Sequence, residues 1–244
     1  LEIYIQKNYV LEALNEEKNN GIKIFIQLGD FFDNRKIIDI NFFNEVIEFI
    51  KEIKKLEIKI ISILGNHDIY YNTTRDISLS QVLDNLFPDT FFCIKDKLSF
   101  ELSFELSFEN TQINKNLLLL PWITKNENNL NINPTSDLHN YDYIFGHLEI
   151  RNFETQKNHF DETSFLTSSY LKKAKRLKKV FSGHYHLKNS DNFVFYVGTP
   201  YQLNWGDFNQ SKGYYLLNTL TDELEFKENK KSSKFVKIIY DDKN

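Results

Sequence analysis

At 244 residues the chain is long enough for one large α/β domain or two small ones. Its net charge of −4 excludes a generally basic nucleic-acid coat while leaving room for a local basic patch. The single cysteine, Cys93, excludes an internal disulfide and points to a reducing compartment. The longest apolar run, LLLLPWI at 117–123, is too short to span a bilayer, and no secretion signal opens the chain. The expected setting is the cytoplasm, with no membrane partner.

In chain order, Ile5, Val10, Leu11 and Leu14 recur at roughly helical spacing within 2–19, and Gly21 suits the end of that helix. IKIFIQLGD (22–30) reads as a strand ending in Gly-Asp. Residues 41–56 place Phe42, Phe43, Val46, Ile47, Ile50 and Ile53 on one helical stripe. IKIISILGNHD (58–68) is a second buried strand, so 22–68 reads as a parallel pair with a helical crossover. The LSFE repeat at 98–109 alternates apolar and polar residues, which predicts a half-exposed strand or hairpin. NLLLLPW (116–122) is a buried strand stopped by Pro121, and the Asn-rich 124–140 a loop. YDYIFGH (141–147) and KKVFSGHYH (178–186) are further strands. NFVFYVGTP, KGYYLLNTL and ELEFKE follow, the last two as a hairpin. No linker rich in Pro, Gly or Ser divides the chain, so residues 1–244 are expected to form one domain.

Four of the eight glycines immediately precede a metal-ligand type: Gly29–Asp30, Gly65–Asn66, Gly146–His147 and Gly183–His184. Each pair closes a strand, where glycine permits a sharp turn and close backbone approach. Alone, a Gly-Asp or Gly-His is an ordinary turn. Together they predict that Asp30, Asn66, His147, His184 and His186 converge beyond the carboxyl ends of strands, where α/β sheets place their sites. One carboxylate, one amide and three imidazoles suit Mn²⁺, Fe²⁺ or Zn²⁺ better than Ca²⁺.

GDFFDNR (29–35), GNHD (65–68), GH (146–147) and GHYH (183–186), in this order, resemble the signature of calcineurin-like metallophosphoesterases. FIQLGDFFDNRK, LLPWI, FGHLE, FSGHYH and YVGTPYQLNWGD resemble, more narrowly, SbcD-type nucleases of double-strand-break repair and the related recombination nucleases of large tailed phages. The resemblance implies an α/β fold, a β-sandwich flanked by helices (αββα). It implies two divalent metal ions, manganese first, with iron, zinc or magnesium as alternatives. Asp30 would bridge them, Asn66, His147 and His184 would complete one shell, and His186 would belong to the other. His67 matches the catalytic histidine. Asp33 stands where related phosphatases have an aspartate paired with that histidine and where nucleases often carry histidine. Asp68 is expected to order its loop.

The family's DxH motif, which precedes the first helix, has no counterpart before Asp30. The chain is therefore expected to be a nuclease core that is truncated at its N-terminus and lacks a full C-terminal capping domain. The implied function is a DNA exo/endonuclease subunit of recombination and double-strand-break repair. Its implied partners are DNA, an SbcC-like ATPase and a second copy of the chain. Two alternatives stay open: a phosphoesterase acting on a small molecule or phosphoprotein, and a catalytically incomplete binding subunit. For DNA contact the candidates are Arg35 and the basic run LKKAKRLKK, with Lys172, Lys173, Lys175 and Arg176; a solvated face explains that run equally simply. Tyr201 and Trp205 either line a DNA groove or pack on the sheet.

Overall fold

The computed structural model describes residues 2–106, 111–124, 133–156 and 158–238. The elements run α1 (Glu2–Asn19), β1 (Ile24–Gln27), α2 (Ile40–Lys55), β2 (Lys59–Ile63), β3 (Ile69–Tyr71), β4 (Thr74–Ser78), α3 (Leu79–Leu86) and β5 (Phe91–Ile94). Then come β6 (Leu98–Leu106), β7 (Thr111–Leu120), β8 (Tyr143–Gly146), β9 (Glu154–Gln156), β10 (His159–Phe160) and α4 (Ser168–Leu171). The chain continues through β11 (Lys179–Ser182), β12 (Asn189–Ser190), β13 (Val194–Tyr196), β14 (Gly213–Leu217) and β15 (Leu224–Glu228).

Two sheets carry the fold. The smaller is parallel, in the order β1-β2-β5. The larger runs β12-β13-β11-β8-β7-β6, with β13, β11, β8 and β7 parallel and an antiparallel strand at each edge. Side-chain alternation along these strands builds the layers. Ile61, Ile63, Leu117, Leu119, Tyr143, Phe145 and Phe181 point between the sheets and form the central core. Their neighbours Ile60 and Phe91 point outward onto Val46, Ile50 and Ile53 of α2, Leu14 of α1 and Leu83 of α3. On the far side, Leu118, Leu120, Ile144, Val180 and Val194 pack against Leu171, Ala174 and Leu177. The result is the αββα sandwich.

Local signals set the helix ends. Asp39 caps α2 by accepting from Phe42 N at 3.0 Å. Gly21, at φ 93°, ends α1 with Gly21 N→Lys18 O and Ile22 N→Glu17 O bonds, a Schellman pair. The LSFE stretch pairs in register with β7, from Leu98↔Leu119 to Leu106↔Thr111; its residues 107–110 lie outside the described residues. Between the second strand and that repeat, the structure adds what hydropathy did not mark: the β3–β4 hairpin, α3 and a third parallel strand, β5.

Candidate metal centre

β1 and β2 of the small sheet and β8 and β11 of the large one end on the same side of the sandwich, and the loops leaving them meet there. A Cβ on Gly29 would stand 2.1 Å from the His147 ring, and one on Gly65 would stand 2.2 Å from Asp30 Oδ1. These two positions are glycine because the site residues of neighbouring loops occupy the space.

His147 is wholly buried and lies at the centre. Its Nδ1 faces Leu28 O at 2.8 Å, so the ring proton belongs there and Nε2 presents a lone pair. Three further acceptors surround Nε2: Asn66 Oδ1 at 3.0 Å, His184 Nδ1 at 3.0 Å and Asp30 Oδ2 at 3.3 Å. The other nitrogen of His184, Nε2, faces Glu149 Oε1 at 3.3 Å, which leaves its Nδ1 lone pair for the centre. Polar atoms this close need a proton or a cation between them, supplied by His147 Nε2, by His184 Nδ1 or by a metal ion. Among the described residues no three His, Cys, Asp or Glu side chains close into a metal-binding group; the set around His147 Nε2 is one carboxylate, one further imidazole and one amide. The donor set, with each imidazole oriented through its remote nitrogen, fits a divalent metal ion.

Asp30 and His147 set each other's charge. Burial works against the Asp30 carboxylate, but the hydrogen bond and charge of His147 and the His67 N–H outweigh it and hold its pKa below the usual value. Burial also opposes the His147 imidazolium, and Asp30 overrides it, raising that pKa. Asp30 itself sits at φ 56°, a conformation uncommon for a residue with a side chain. Asp68 holds it there. Its Oδ2 accepts from Asp30 N (2.7 Å) and Gly65 N (2.8 Å), and its Oδ1 from Phe32 N (3.0 Å), which ties the GDFF and GNHD loops together.

His67 donates its backbone N–H to Asp30 Oδ1 at 2.8 Å. Its Nδ1 faces the Asp33 carbonyl at 2.9 Å, while the Asp33 carboxylate lies 3.7 Å away and fully exposed. The contact between these two residues is thus chiefly through the Asp33 backbone. His186 is exposed at the rim, with Asp207, Asp30, Lys212 and His184 as the charges acting on it. Its carbonyl is held by Thr199 N at 3.1 Å and by Lys212 Nζ at 2.7 Å, and Lys212 in turn pairs with buried Asp207 at 2.5 Å. The chain's one Asp-x-His triplet, Asp137-Leu138-His139, contributes nothing to the centre. It forms a turn just before β8, at the opposite end of the sheet, with Asp137 accepting from Asn133 N and His139 facing Ser136 O.

The basic run is also at that opposite end. It enters β11 at Lys179, whereas His184 leaves β11 beyond Ser182, four strand residues or roughly 13 Å further along. Lys172 is paired with Asp191 and Arg176 with Asp142, each at 2.9 Å. Lys173 lies over the Tyr170 ring, and Lys175 is exposed. The structure therefore does not bring this run to the metal centre. Arg35 does stay near it, hydrogen-bonded to Asn72. Trp205 packs beside Phe208 and Phe235 and is still exposed.

Two neighbours of the centre were not among the candidate site residues. Trp122 packs on His184 (4.9 Å between ring centroids) and His147 (5.9 Å), and its backbone N–H donates to Leu64 O across the two sheets. Glu149 orients His184. Both lie in stretches that carry the nuclease resemblance, LLPWI and FGHLE, within two residues of a strand end or site residue.

With this fold and this centre, the chain belongs to the calcineurin-like phosphoesterase family, whose profile matches residues 4–225. The family generally uses two divalent metal ions. The chain is 30% identical over 226 residues to exonuclease subunit 1 of Enterobacteria phage T4. That alignment covers 91% of the chain and 60% of the phage protein, so the chain spans about three-fifths of that relative's length. Among solved structures, GAP50, the anchor in the inner membrane complex of Plasmodium, matches with a TM-score of 0.51 over 94% of this chain and 71% of its own. At 14% identity that likeness is one of fold alone. Among the described residues no helix is long and apolar enough to cross a membrane.

Proposed function

We propose that the chain is the catalytic core of a two-metal DNA exo/endonuclease subunit that hydrolyses phosphodiester bonds in recombination and double-strand-break repair. The observation that carries this reading is the convergence of Asp30, Asn66 and His184 on His147 Nε2, in a chain similar to a protein named as an exonuclease subunit. Asn66, His147 and His184 would hold one ion, with Asp30 shared and His186 facing the other. When bound, two divalent ions lower the pKa of a water between them and neutralise charge on the attacking and leaving oxygens. Manganese is the proposed ion, with iron, zinc and magnesium as alternatives.

The chain's own residues supply the rest. Asp68 fixes the two loops that carry Asp30 and Asn66. With Nδ1 held at the Asp33 carbonyl, His67 directs Nε2 outward, where it can protonate the leaving oxygen. The Asp33 carboxylate lies 3.7 Å from His67 Nδ1. An SbcC-like ATPase and a second copy of the chain are the proposed protein partners, in the cytoplasm, that of the host if the chain is phage-encoded. The test is hydrolysis of linear duplex and single-stranded DNA with Mn²⁺. Cleavage abolished by His147→Ala and reduced at least a hundredfold in kcat by His67→Ala is expected. Hydrolysis of a small phosphodiester with DNA left intact would overturn the nuclease reading in favour of a small-molecule phosphoesterase.

A further inference from the structure

Beside the metal centre, two segments that leave it meet again in an exposed patch that the chemistry above does not use. One is the Asn34–Ile37 turn, which follows Asp33. The other is the β3–β4 hairpin, which follows His67 and Asp68. Together Asn34, Arg35, Lys36, Ile37, Tyr70, Tyr71 and Asn72 line a shallow open pocket.

Its construction is specific. In a regular strand Tyr70 and Tyr71 would point to opposite faces. Here the hairpin register shifts between Ile69 and Tyr71; Ile69 is wholly buried, and both tyrosines are exposed, Tyr71 by 51%. Their rings stand edge to face, 4.6 Å apart between centroids. Lys36 Nζ lies 5.8 Å from the Tyr70 ring centroid, and Arg35 is hydrogen-bonded to Asn72 at the hairpin tip. Asn34 Oδ1 accepts from Lys36 N (3.0 Å) and Ile37 N (3.1 Å), which fixes the turn that presents both cations. Ile37 continues the apolar surface at 75% exposure.

The geometry points to a base-stacking subsite: an unpaired nucleobase rests on Tyr70 and Tyr71 while Arg35 and Lys36 take the adjoining phosphate. Exposed aromatic faces beside fixed cations match the alternation of base and phosphate along a single strand. A phosphate group alone would use the cations and leave two tyrosines and an isoleucine in water. Because Tyr70 is three residues from His67, a base held here places a nearby phosphodiester at the metal centre. This subsite rests on the nuclease reading and narrows it to DNA with at least one unpaired nucleotide at the cleavage point.

The test is binding, without Mn²⁺, of two fluorescent oligonucleotides of equal length, oligo(dT) and a fully abasic strand. Wild-type chain is expected to bind oligo(dT) roughly tenfold more tightly. Tyr70→Leu and Tyr71→Leu should erase that preference and leave abasic binding unchanged. Arg35→Gln and Lys36→Gln should weaken both ligands alike and flatten their salt dependence by about 0.7 in log–log slope for each phosphate no longer neutralised. All four side chains are on the surface, so thermal melting should match wild type. Equal binding of the two strands, no binding of either, or a preference that survives both tyrosine substitutions overturns the subsite. Mn²⁺-dependent cleavage is scored separately. DNA cleavage without a base preference sinks only the subsite, whereas base preference without any DNA cleavage sinks only the nuclease reading.

Discussion

Asp68→Ala should destabilise the protein and loosen the metal centre together. The carboxylate accepts three backbone N–H bonds, from Asp30, Phe32 and Gly65, and the residue is almost fully buried. A buried N–H left without a partner costs about 1–3 kcal/mol, so three cost about 3–9 kcal/mol. One effect opposes this. Burial pushes the Asp68 pKa up to about 6, with the Gly65 and Phe32 N–H groups only partly offsetting it. Relative to an ordinary aspartate this is an unfavourable charge burial of about 3 kcal/mol at neutral pH, which the alanine relieves. The net expectation is a loss of about 0–6 kcal/mol, centred near 3 kcal/mol, measured by urea unfolding with metal chelated. Mn²⁺ affinity, measured by calorimetry, should fall at least tenfold, because Asp30 and Asn66 lie on the loops that Asp68 joins. A variant within about 0.5 kcal/mol of wild type, the range of an ordinary surface change, with unaltered Mn²⁺ affinity, would refute the reasoning.

Gly65→Ala should fold yet bind Mn²⁺ at least tenfold more weakly, since its Cβ would stand 2.2 Å from Asp30 Oδ1 and 2.4 Å from Asp30 N; calorimetry showing wild-type affinity would count against the proposed packing. Asp222 accepts from Lys115, Lys178 and the buried Tyr143 hydroxyl at the opposite end of the sheet. Asp222→Ala strands the buried Lys115 ammonium and should cost about 3 kcal/mol in urea unfolding with DNA cleavage by the folded protein unchanged. Burial opposes ionisation of Asp161, but hydrogen bonds from Ser164, Tyr185 and Thr163 depress its pKa to about 2. A depressed carboxylate pKa contributes stability that is complete above the unfolded value near 3.9 and is lost as pH falls toward 2. Asp161→Asn should therefore flatten the fall in unfolding free energy between pH 4 and 2 by about 2 kcal/mol, and an unchanged slope would exclude this linkage. Lys173→Glu with Lys175→Glu should leave DNA affinity within twofold, as expected for a run facing away from the centre; a tenfold loss would restore that run as a DNA contact.

How much could be read from sequence depended on whether the signal was local. The strands Ile60–Ile63, Leu117–Leu120 and Tyr143–Phe145 were legible as buried apolar runs, whereas their αββα arrangement was implied by the resemblance of the motifs. The centre was legible because its glycines must be glycine, and Gly29 and Gly65 would otherwise strike His147 and Asp30. The α2 stripe was legible from Phe42 to Ile53. By contrast β3, α3 and β5 are short, with exposed tyrosines and a register shift that erase periodicity. Side-chain partners distant in sequence were invisible: nothing local says that Arg176 meets Asp142 or that Trp122 covers His184.

Two triplets of ligand-type residues show why spacing alone underdetermines chemistry. Asp137-x-His139 has the spacing of a metal motif and lies just before β8, at the end of the sheet away from the centre, each side chain closing its own turn. His184-x-His186 has the same spacing just after β11, at the end where three other strands deliver Asp30, Asn66 and His147. Parallel pairing makes that end common to all four loops, so the direction of the strand decides which pair meets other ligands. Within the GHYH loop the two rings still differ. The His184 ring is committed by Glu149, Trp122 and His147, whereas His186 is anchored through its backbone by Lys212 and Thr199. Anchoring the carbonyl fixes where the His186 ring starts, while the ring itself stays exposed.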